Sequence, residues 1–366
     1  MFQEKGIDFY TGVPDSILSP FCAFMDENVP KSRHVIAANE GNAVAIAAGS
    51  YLASGKPALV YMQNSGIGNS INPLLSLCDP EVYSIPVLLL IGWRGEPGKH
   101  DQPHHLKQGR VTLELLDEME IPYEILPEDA EGCRLAVANA VTFMEESRAP
   151  FAIIVKSGTF EEYDSKSAQQ GDRNMPEEEA LDLVLSRLAA NDAVVSTTGK
   201  VSRMLFDLRE RRGESHDGDF LVVGSMGHCS SVALGIALEK PGRAVYCLDG
   251  DGSLIMHMGS LATSGMAKPG NLKHIVFNNF SHDSVGGEPT ASPFMNIPEI
   301  AIASGYSSAF SASAKAEAEE RLSDLIVANG PALLELKVRR SSGSELGRPT
   351  QTPFEIKESF ISFLES

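Results

Sequence analysis

Short aliphatic and β-branched runs recur along the chain, separated by stretches long enough to hold a helix. A run that is apolar at nearly every position predicts a strand covered on both faces, and parallel neighbours need a crossover of a dozen or more residues. The runs lie at residues 34–37, 58–62, 86–91 and 151–155, and again at 193–196, 220–223, 244–248, 274–277 and 332–336. We therefore predict an α/β fold with two doubly wound, mostly parallel-sheet domains.

A polar segment between the two sets of runs predicts the domain boundary. Residues 156–176 contain few apolar side chains, and Pro176 followed by three glutamates is typical of a first helical turn. A length of 366 residues also favours two domains. We predict a first domain over residues 1–165, a linker over 166–176 and a second domain over 177–366.

Charge and cysteine content argue against several classes of protein. The formal net charge of −19 at pH 7 disfavours a nucleic-acid partner, because phosphate contacts need a basic surface. Every apolar run is far shorter than the ~20 residues of a membrane span, and no basic-then-apolar leader opens the chain. Five scattered cysteines favour neither a disulfide framework nor a zinc site. We expect a soluble, cytoplasmic protein without a membrane partner.

Two short motifs end neighbouring predicted strands in the second half. Asp249-Gly-Asp-Gly-Ser253 follows one strand, and Asn278-Asn279 ends the next, with Asn279 28 residues after Asp251. Ligands of open α/β sheets bind at the carboxyl ends of strands, and glycines let a phosphate approach the backbone. A carboxylate beside a phosphate needs a bridging cation with oxygen ligands. Either motif alone is more typical of a turn, but together they predict a magnesium–diphosphate site.

Other nucleotide sites fit the sequence less well. Gly66-Ile-Gly68 lacks the third glycine of the dinucleotide-binding motif and a suitable acidic residue about twenty positions later. A P-loop sequence is absent. The magnesium–diphosphate interpretation is therefore preferred.

The two motifs, with others along nearly the whole chain, resemble the cofactor site of thiamine-diphosphate enzymes. The resemblance implies that Mg²⁺ is held by Asp251, Asn279 and the main-chain carbonyl of Ser281. It implies that Met226 supports the bent cofactor and that the Gly224 carbonyl holds the 4′-amino group. The other residues implied to contact the cofactor are Thr198, Gly199, Gly250, Gly252 and Ser253.

A glutamate in the first half extends the resemblance. These enzymes use one glutamate near the end of an early strand to hydrogen-bond the aminopyrimidine ring, and Glu40 within residues 34–49 matches that setting. The alternative is a glutamate that merely begins a helix. In this family the first domain of one subunit and the second domain of another complete each site, which implies a homo-oligomer, at least a dimer.

Two basic stretches in this acidic chain indicate a small anionic substrate. Residues 94–110 hold four Arg or Lys and two acidic residues, and a second basic stretch covers residues 339–348. Both fit recruitment of a multiply charged anion, although solvated surface loops are the alternative. The candidates for holding it are Arg94, Lys107 and Arg348.

Five further stretches resemble the phosphonopyruvate decarboxylases. They are residues 12–16, 62–69, 102–109, 282–290 and 346–349. The sulfopyruvate decarboxylases are near relatives that share the first-half motifs, and residues 282–290 favour the phosphonate. Glu288 departs from the pattern, where glutamine is expected, as does Phe280, where a small residue is expected.

The resemblance implies a magnesium- and thiamine-diphosphate-dependent decarboxylation of 3-phosphonopyruvate to phosphonoacetaldehyde and CO₂, in phosphonate biosynthesis. Glu40 is then the activating carboxyl group, and Asp15, His104 and His105 are candidates for proton transfer and oxyanion stabilisation. Two alternatives stay open: a decarboxylase of sulfopyruvate or another 2-oxo acid, and a cofactor-binding protein without catalytic activity.

Overall fold

A computed structural model describes residues 1–163, 175–340 and 346–366. The described residues form two compact units: the first contains residues 1–163 and 285–288, and the second contains the remainder. The predicted linker 166–176 lies outside the described residues except for its last two. The predicted domain boundaries therefore stay a prediction.

The first unit is built on a six-stranded sheet with the order β2-β1-β3-β4-β6-β5, in which every neighbouring pair is parallel. Its strands are β1 (Tyr10–Gly12), β2 (His34–Ile36), β3 (Ala58–Gln63), β4 (Val87–Gly92), β5 (Tyr123–Ile125) and β6 (Phe151–Val155). Its α-helices are α1 (Ser19–Asn28), α2 (Glu40–Ser54), α3 (Ile67–Pro73), α4 (Pro103–Glu118) and α5 (Ala130–Ser147).

Helices cover both faces of this sheet, which explains why its strands are apolar at consecutive positions. On β3, Val60 and Met62 belong to the cluster that includes Val44 of α2. The alternate residues Leu59 and Tyr61 belong to a second cluster with residues of α1 and α5. Successive strand side chains point to opposite faces, so both sets must be apolar.

The second unit is also built on a six-stranded parallel sheet, with the order β11-β12-β10-β9-β7-β8. Its strands are β7 (Ala193–Ser196), β8 (Asp219–Leu221), β9 (Val245–Gly250), β10 (Leu272–Asn278), β11 (Ser308–Ala312) and β12 (Ala332–Lys337). Its α-helices are α6 (Glu177–Leu185), α7 (Lys200–Arg212), α8 (Cys229–Glu239), α9 (Asp251–Met256), α10 (Ser260–Ala267), α11 (Ile297–Ala303), α12 (Lys315–Val327) and α13 (Pro353–Glu365).

The predicted α/β class with two parallel sheets is confirmed, and each of the nine predicted runs overlaps a strand. Sequence analysis missed β1, β5 and β11. The strands β5 and β11 lie at sheet edges and β1 is only three residues long, so none contains a sustained apolar run. Among the described residues, no helix is both long enough and apolar enough to cross a bilayer.

Candidate active site

The predicted metal and diphosphate residues follow three adjacent strands of the second sheet. The strands β10, β9 and β7 lie side by side and run parallel. Thr198 follows β7, Asp251 follows β9 and Asn279 follows β10. Parallel strands end at the same edge of a sheet, where open α/β sheets bind their ligands. The structure therefore brings these residues to one edge, while their roles as ligands stay a prediction.

Asp251 begins α9 and is only 2% exposed. Its Oδ2 accepts hydrogen bonds from the hydroxyl groups of Thr290 (2.5 Å) and Ser292 (2.8 Å). Burial raises the pKa of Asp251 to about 6, against the lowering effect of these two hydroxyls. The ion pairs formed by the described residues do not include Asp251. A buried carboxylate without a cationic side chain fits a magnesium ligand, because the ion would stabilise its charged form.

The backbone turns directly after the asparagine pair. Phe280 has a φ of +63°, and Ser281 then forms an antiparallel bridge with Pro289. The Oδ1 atom of Asn279 accepts a hydrogen bond from the Ser281 N–H at 3.1 Å, so the two predicted metal ligands lie against each other. A small residue is expected at position 280 because the left-handed conformation is strained for a bulky side chain and easy for glycine.

The hydroxyl group of Ser253 connects the three segments that the resemblance assigns to the cofactor. The Oγ1 atom of Thr197 lies 2.9 Å from this hydroxyl, and the N–H of Gly227 donates to it at 3.1 Å. The connected segments are residues 197–199, 224–227 and 250–253. Widely separated parts of the sequence thus meet at the ends of β7 and β9.

Met226 lies beside Gly252, as support for a bound ring would need. A Cβ atom on Gly252 would lie 3.4 Å from the terminal methyl of Met226 and 3.1 Å from the ring of His282. Any side chain at position 252 would therefore crowd this space. Burial lowers the pKa of His282 to about 4, which keeps its imidazole neutral at physiological pH.

Thr198 and Gly199 form the connection from β7 to α7. The hydroxyl of Thr198 donates to the Val223 carbonyl at 3.0 Å, directly before Gly224. Gly199 precedes the first residue of α7 with a φ of +98°. Gly250 ends β9 and precedes α9. These contacts keep the predicted diphosphate residues at the same sheet edge as Asp251.

Glu177 is a buried residue of this region that sequence analysis did not single out. It begins α6, is 2% exposed, and accepts a hydrogen bond from the Asn279 side-chain amide at 3.5 Å. Burial raises the pKa of Glu177 to about 7, and the nearby charge of Asp283 adds to this effect. In the sequence it looks like the two glutamates that follow it.

An ion-pair network includes part of the second basic stretch. Asp283 accepts hydrogen bonds from Lys200 (2.5 Å) and from the Nε atom of Arg340 (2.8 Å). Arg340 is therefore already paired with a carboxylate of its own chain. Residues 341–345 lie outside the described residues, and Arg348 is exposed.

In the first unit, Glu40 begins α2 and is 5% exposed. Its Oε2 accepts a hydrogen bond from the Asn69 side-chain amide at 2.7 Å. A Cβ atom on Gly66 would lie 2.4 Å from Oε1, so only glycine leaves room for the carboxylate. Both neighbours belong to residues 62–69, and no sequence pattern there predicted a contact with Glu40. They hold Glu40 in one place, and its catalytic role stays a prediction.

Asp15 follows β1 and is 1% exposed. Its Oδ2 accepts hydrogen bonds from the N–H groups of Ile17 (2.9 Å) and Leu18 (3.2 Å), whereas Oδ1 has no hydrogen-bond partner among the described residues. Burial raises the pKa of Asp15 to about 6, against these two bonds and the charge of Arg94. A carboxyl group that titrates near neutral pH suits proton transfer.

The raised pKa of Asp15 predicts a loss of stability as pH rises. The folded protein holds the proton of Asp15 up to about pH 6, whereas the unfolded chain releases it near its ordinary value of 3.8. The free energy of unfolding should therefore fall between these pH values, by on the order of 3 kcal/mol for this group. Denaturant titrations of the cofactor-free protein should show a smaller fall in Asp15→Asn. Identical pH profiles for wild type and variant would contradict the burial argument.

Arg94 lies next to Asp15 but is held by another carboxylate. Its guanidinium forms a bidentate pair with Asp101, with distances of 2.8 Å and 2.5 Å, and donates to the Ser16 hydroxyl at 2.9 Å. Its own pKa is raised, chiefly by the hydrogen bond to Asp101. The pair fixes the orientation of Arg94 and neutralises much of its charge.

The remaining candidates of the first basic stretch lie on α4. His104 and His105 occupy its first turn, with ring centroids 4.0 Å apart. His105 is buried, His104 is half-buried, and Lys107 is exposed. Their roles toward a substrate stay predictions.

Comparisons with known proteins find matches for both halves of the chain. A model of the N-terminal TPP-binding domain of thiamine pyrophosphate enzymes matches residues 1–121, and a model of the C-terminal TPP-binding domain matches residues 197–336. The phosphonopyruvate decarboxylase of Streptomyces viridochromogenes is 35% identical over 98% of this chain and 92% of its own length. The phosphonopyruvate decarboxylase of Streptomyces hygroscopicus is 34% identical over 98% of this chain and 90% of its own length. A sulfopyruvate decarboxylase of Methanosarcina acetivorans is 28% identical over 79% of this chain and 76% of its own length.

Proposed function

Because the chain belongs to the phosphonopyruvate decarboxylase family of thiamine pyrophosphate enzymes, we propose that it converts 3-phosphonopyruvate to phosphonoacetaldehyde and CO₂. The observation that carries this proposal is the likeness to two phosphonopyruvate decarboxylases over 98% of the chain. The buried, fixed carboxylate of Glu40 supports a catalytic protein over one that only binds the cofactor.

In this proposal the second unit holds the metal and the diphosphate. Asp251, Asn279 and the Ser281 carbonyl bind Mg²⁺, and Ser253 keeps the surrounding segments together. When bound, thiamine diphosphate supplies a carbon nucleophile and an electron sink for the decarboxylation. The chain supplies binding, orientation and proton transfer.

The first unit supplies the acid–base groups. Glu40 hydrogen-bonds the pyrimidine ring, with Asn69 holding its other oxygen. Asp15 gives or takes a proton at its unpaired Oδ1, and His104 and His105 are further candidates for proton transfer. Arg94, oriented by Asp101, and the exposed Lys107 and Arg348 are the candidates for the phosphonate.

Several parts of the proposal go beyond the family assignment. They are the use of Mg²⁺, a homo-oligomer of at least two subunits, a cytoplasmic location and a role in phosphonate biosynthesis. The domain assignment belongs with them, with a pyrimidine-binding domain over residues 1–165 and a diphosphate-binding domain over 177–366.

Turnover of three 2-oxo acids by the purified protein tests the proposal. With thiamine diphosphate and Mg²⁺ present, we expect kcat/KM for phosphonopyruvate to exceed that for pyruvate by at least ~100-fold, because pyruvate has no phosphonate to make charge-assisted hydrogen bonds with the anion-binding groups. Sulfopyruvate is the closer competitor, given the relative from Methanosarcina acetivorans. A higher kcat/KM for sulfopyruvate would replace the proposed substrate, and cofactor binding without turnover of any of the three acids would contradict the proposed function.

A further inference from the structure

Three consecutive glutamates begin α6, and only the first is buried. Glu178 forms an ion pair with Arg211, and Glu179 pairs with Lys315; the two glutamate side chains are 41% and 39% exposed. Glu177 is 2% exposed. Burying a carboxylate costs several kcal/mol unless it is paired or hydrogen-bonded. Its place in the first helical turn does not require burial, since its two neighbours in the same turn stay partly exposed.

The backbone fixes Glu177 beside the sheet edge that carries the candidate metal ligands. Its N–H donates to the Arg339 carbonyl at 3.2 Å, and the Arg339 N–H donates to the Met175 carbonyl at 2.8 Å. Arg339 follows β12, and β12 is the neighbour of β10. The start of α6 is thereby attached next to the end of β10, where Asn279 lies.

The side chain of Glu177 contacts one end of the Asn279 amide. The Nδ2 atom donates to Glu177 Oε2 at 3.5 Å, while Oδ1 accepts from the Ser281 N–H at 3.1 Å. The Ser281 N–H lies at the oxygen of this amide, and the ionised Glu177 carboxylate only accepts hydrogen bonds, so the amide nitrogen Nδ2 faces Glu177. Mg²⁺ binds the oxygen of an amide and not its NH₂ group.

The adjacent asparagine is held in the same way. The Nδ2 atom of Asn278 donates to Glu335 at 2.7 Å, and Glu335 is also 2% exposed. Its Oδ1 accepts from the Phe280 N–H at 3.2 Å and from the Ser292 hydroxyl at 2.9 Å. A buried glutamate thus orients each amide of the asparagine pair.

We propose that Glu177 is a positioning residue for the metal: it fixes the Asn279 amide with its oxygen available to Mg²⁺. The inference rests on the proposed function, because it assumes that Asn279 is a metal ligand. Groups that orient metal ligands commonly contribute 10- to 100-fold to metal affinity. Glu177 lies outside both segments matched by the family models, which span residues 1–121 and 197–336.

The test compares metal affinity in Glu177→Leu, Glu177→Gln and the control Glu179→Leu. The dissociation constant of Mn²⁺ is measured by electron paramagnetic resonance on protein saturated with thiamine diphosphate. We expect Glu177→Leu to weaken binding by about 10- to 100-fold. Glu177→Gln, which keeps an acceptor oxygen, should bind Mn²⁺ more tightly than the leucine variant, and the control should match wild type. The cofactor-free leucine variant should melt no lower than wild type, because it no longer buries a carboxylate.

The same Glu177→Leu change made in an Asn279→Asp protein distinguishes positioning of the metal ligand from a general structural role. In Asn279→Asp both side-chain oxygens can bind the metal, so orientation by Glu177 is no longer needed. Adding Glu177→Leu there should leave Mn²⁺ affinity unchanged or raise it. Wild-type affinity in the Glu177→Leu single variant, or an equal loss in both backgrounds, overturns the inference and leaves the proposed function standing. Failure of the wild type to bind Mn²⁺ with thiamine diphosphate overturns the proposed function and the inference together.

Discussion

Glu40→Gln is expected to lower kcat by about 100- to 10,000-fold, the usual contribution of a group that transfers a proton in the rate-determining chemistry. The amide keeps an oxygen that can accept the hydrogen bond from Asn69, so the fold and the place of the side chain should be preserved. Glutamine cannot exchange a proton with the pyrimidine ring. CO₂ release from phosphonopyruvate measures the loss, and titration with thiamine diphosphate measures whether binding persists.

Glu131→Gln is the matched control for this experiment. Glu131 also lies in the first turn of a helix of the first unit, but it is exposed. We expect its variant to retain wild-type turnover. If Glu40→Gln keeps near-normal kcat, the glutamate only begins a helix, and the catalytic part of the proposed function fails.

Asp251→Asn is expected to remove the response of the protein to magnesium and cofactor. The change removes the only charged group among the three predicted protein ligands, so we expect a loss in Mg²⁺ affinity of at least ~100-fold, beyond what positioning groups contribute. Wild type should gain about 3 kcal/mol of stability at ligand concentrations near a hundred times Kd. Thermal unfolding with and without Mg²⁺ and thiamine diphosphate should show that gain in wild type and little of it in the variant.

The cofactor-free Asp251→Asn protein should be at least as stable as wild type near neutral pH. Burial holds the pKa of Asp251 at about 6, so its ionised form is disfavoured in the folded state and the amide removes that cost. The double variant Asp251→Asn with Asn279→Asp restores one carboxylate to the site and should recover part of the metal response. A cofactor-induced gain in Asp251→Asn equal to that of wild type would exclude Asp251 as a metal ligand.

Sequence patterns predicted the class of fold because the apolar pattern of a buried parallel strand involves only residues that are close together in sequence. A strand covered on both faces must be apolar at consecutive positions. The strands β3 and β4 are apolar almost throughout, and β9 and β10 contain the apolar runs 245–248 and 275–277. The strands β1, β5 and β11 do not follow that rule. They are short or lie at an edge, and their place in the sheet depends on neighbours distant in sequence.

The candidate site, like the fold, could be predicted from the sequence only in part. Asp251 and Asn279 were predicted together because each immediately follows a strand and the spacing matches adjacent strands. The groups around them come from elsewhere in the chain: Thr290 and Ser292 bond Asp251, and Glu177 contacts Asn279. Thr290 belongs to residues 282–290, which were noted through the resemblance and not for a contact with Asp251. Ser292 and Glu177 lie in no such stretch, since hydroxyl and carboxylate side chains are common in loops and first helical turns.

The sequence by itself determined the two parallel sheets and the residues at the ends of their strands, because apolar periodicity and strand-end motifs act over a few residues. Tertiary structure decided which polar groups those residues meet. It paired Arg94 with Asp101 and placed Asn69 and Gly66 around Glu40. It also buried Glu177 while leaving Glu179 partly exposed. Hydrogen bonding and desolvation depend on distances between atoms far apart in the chain, and only the packed fold sets those distances.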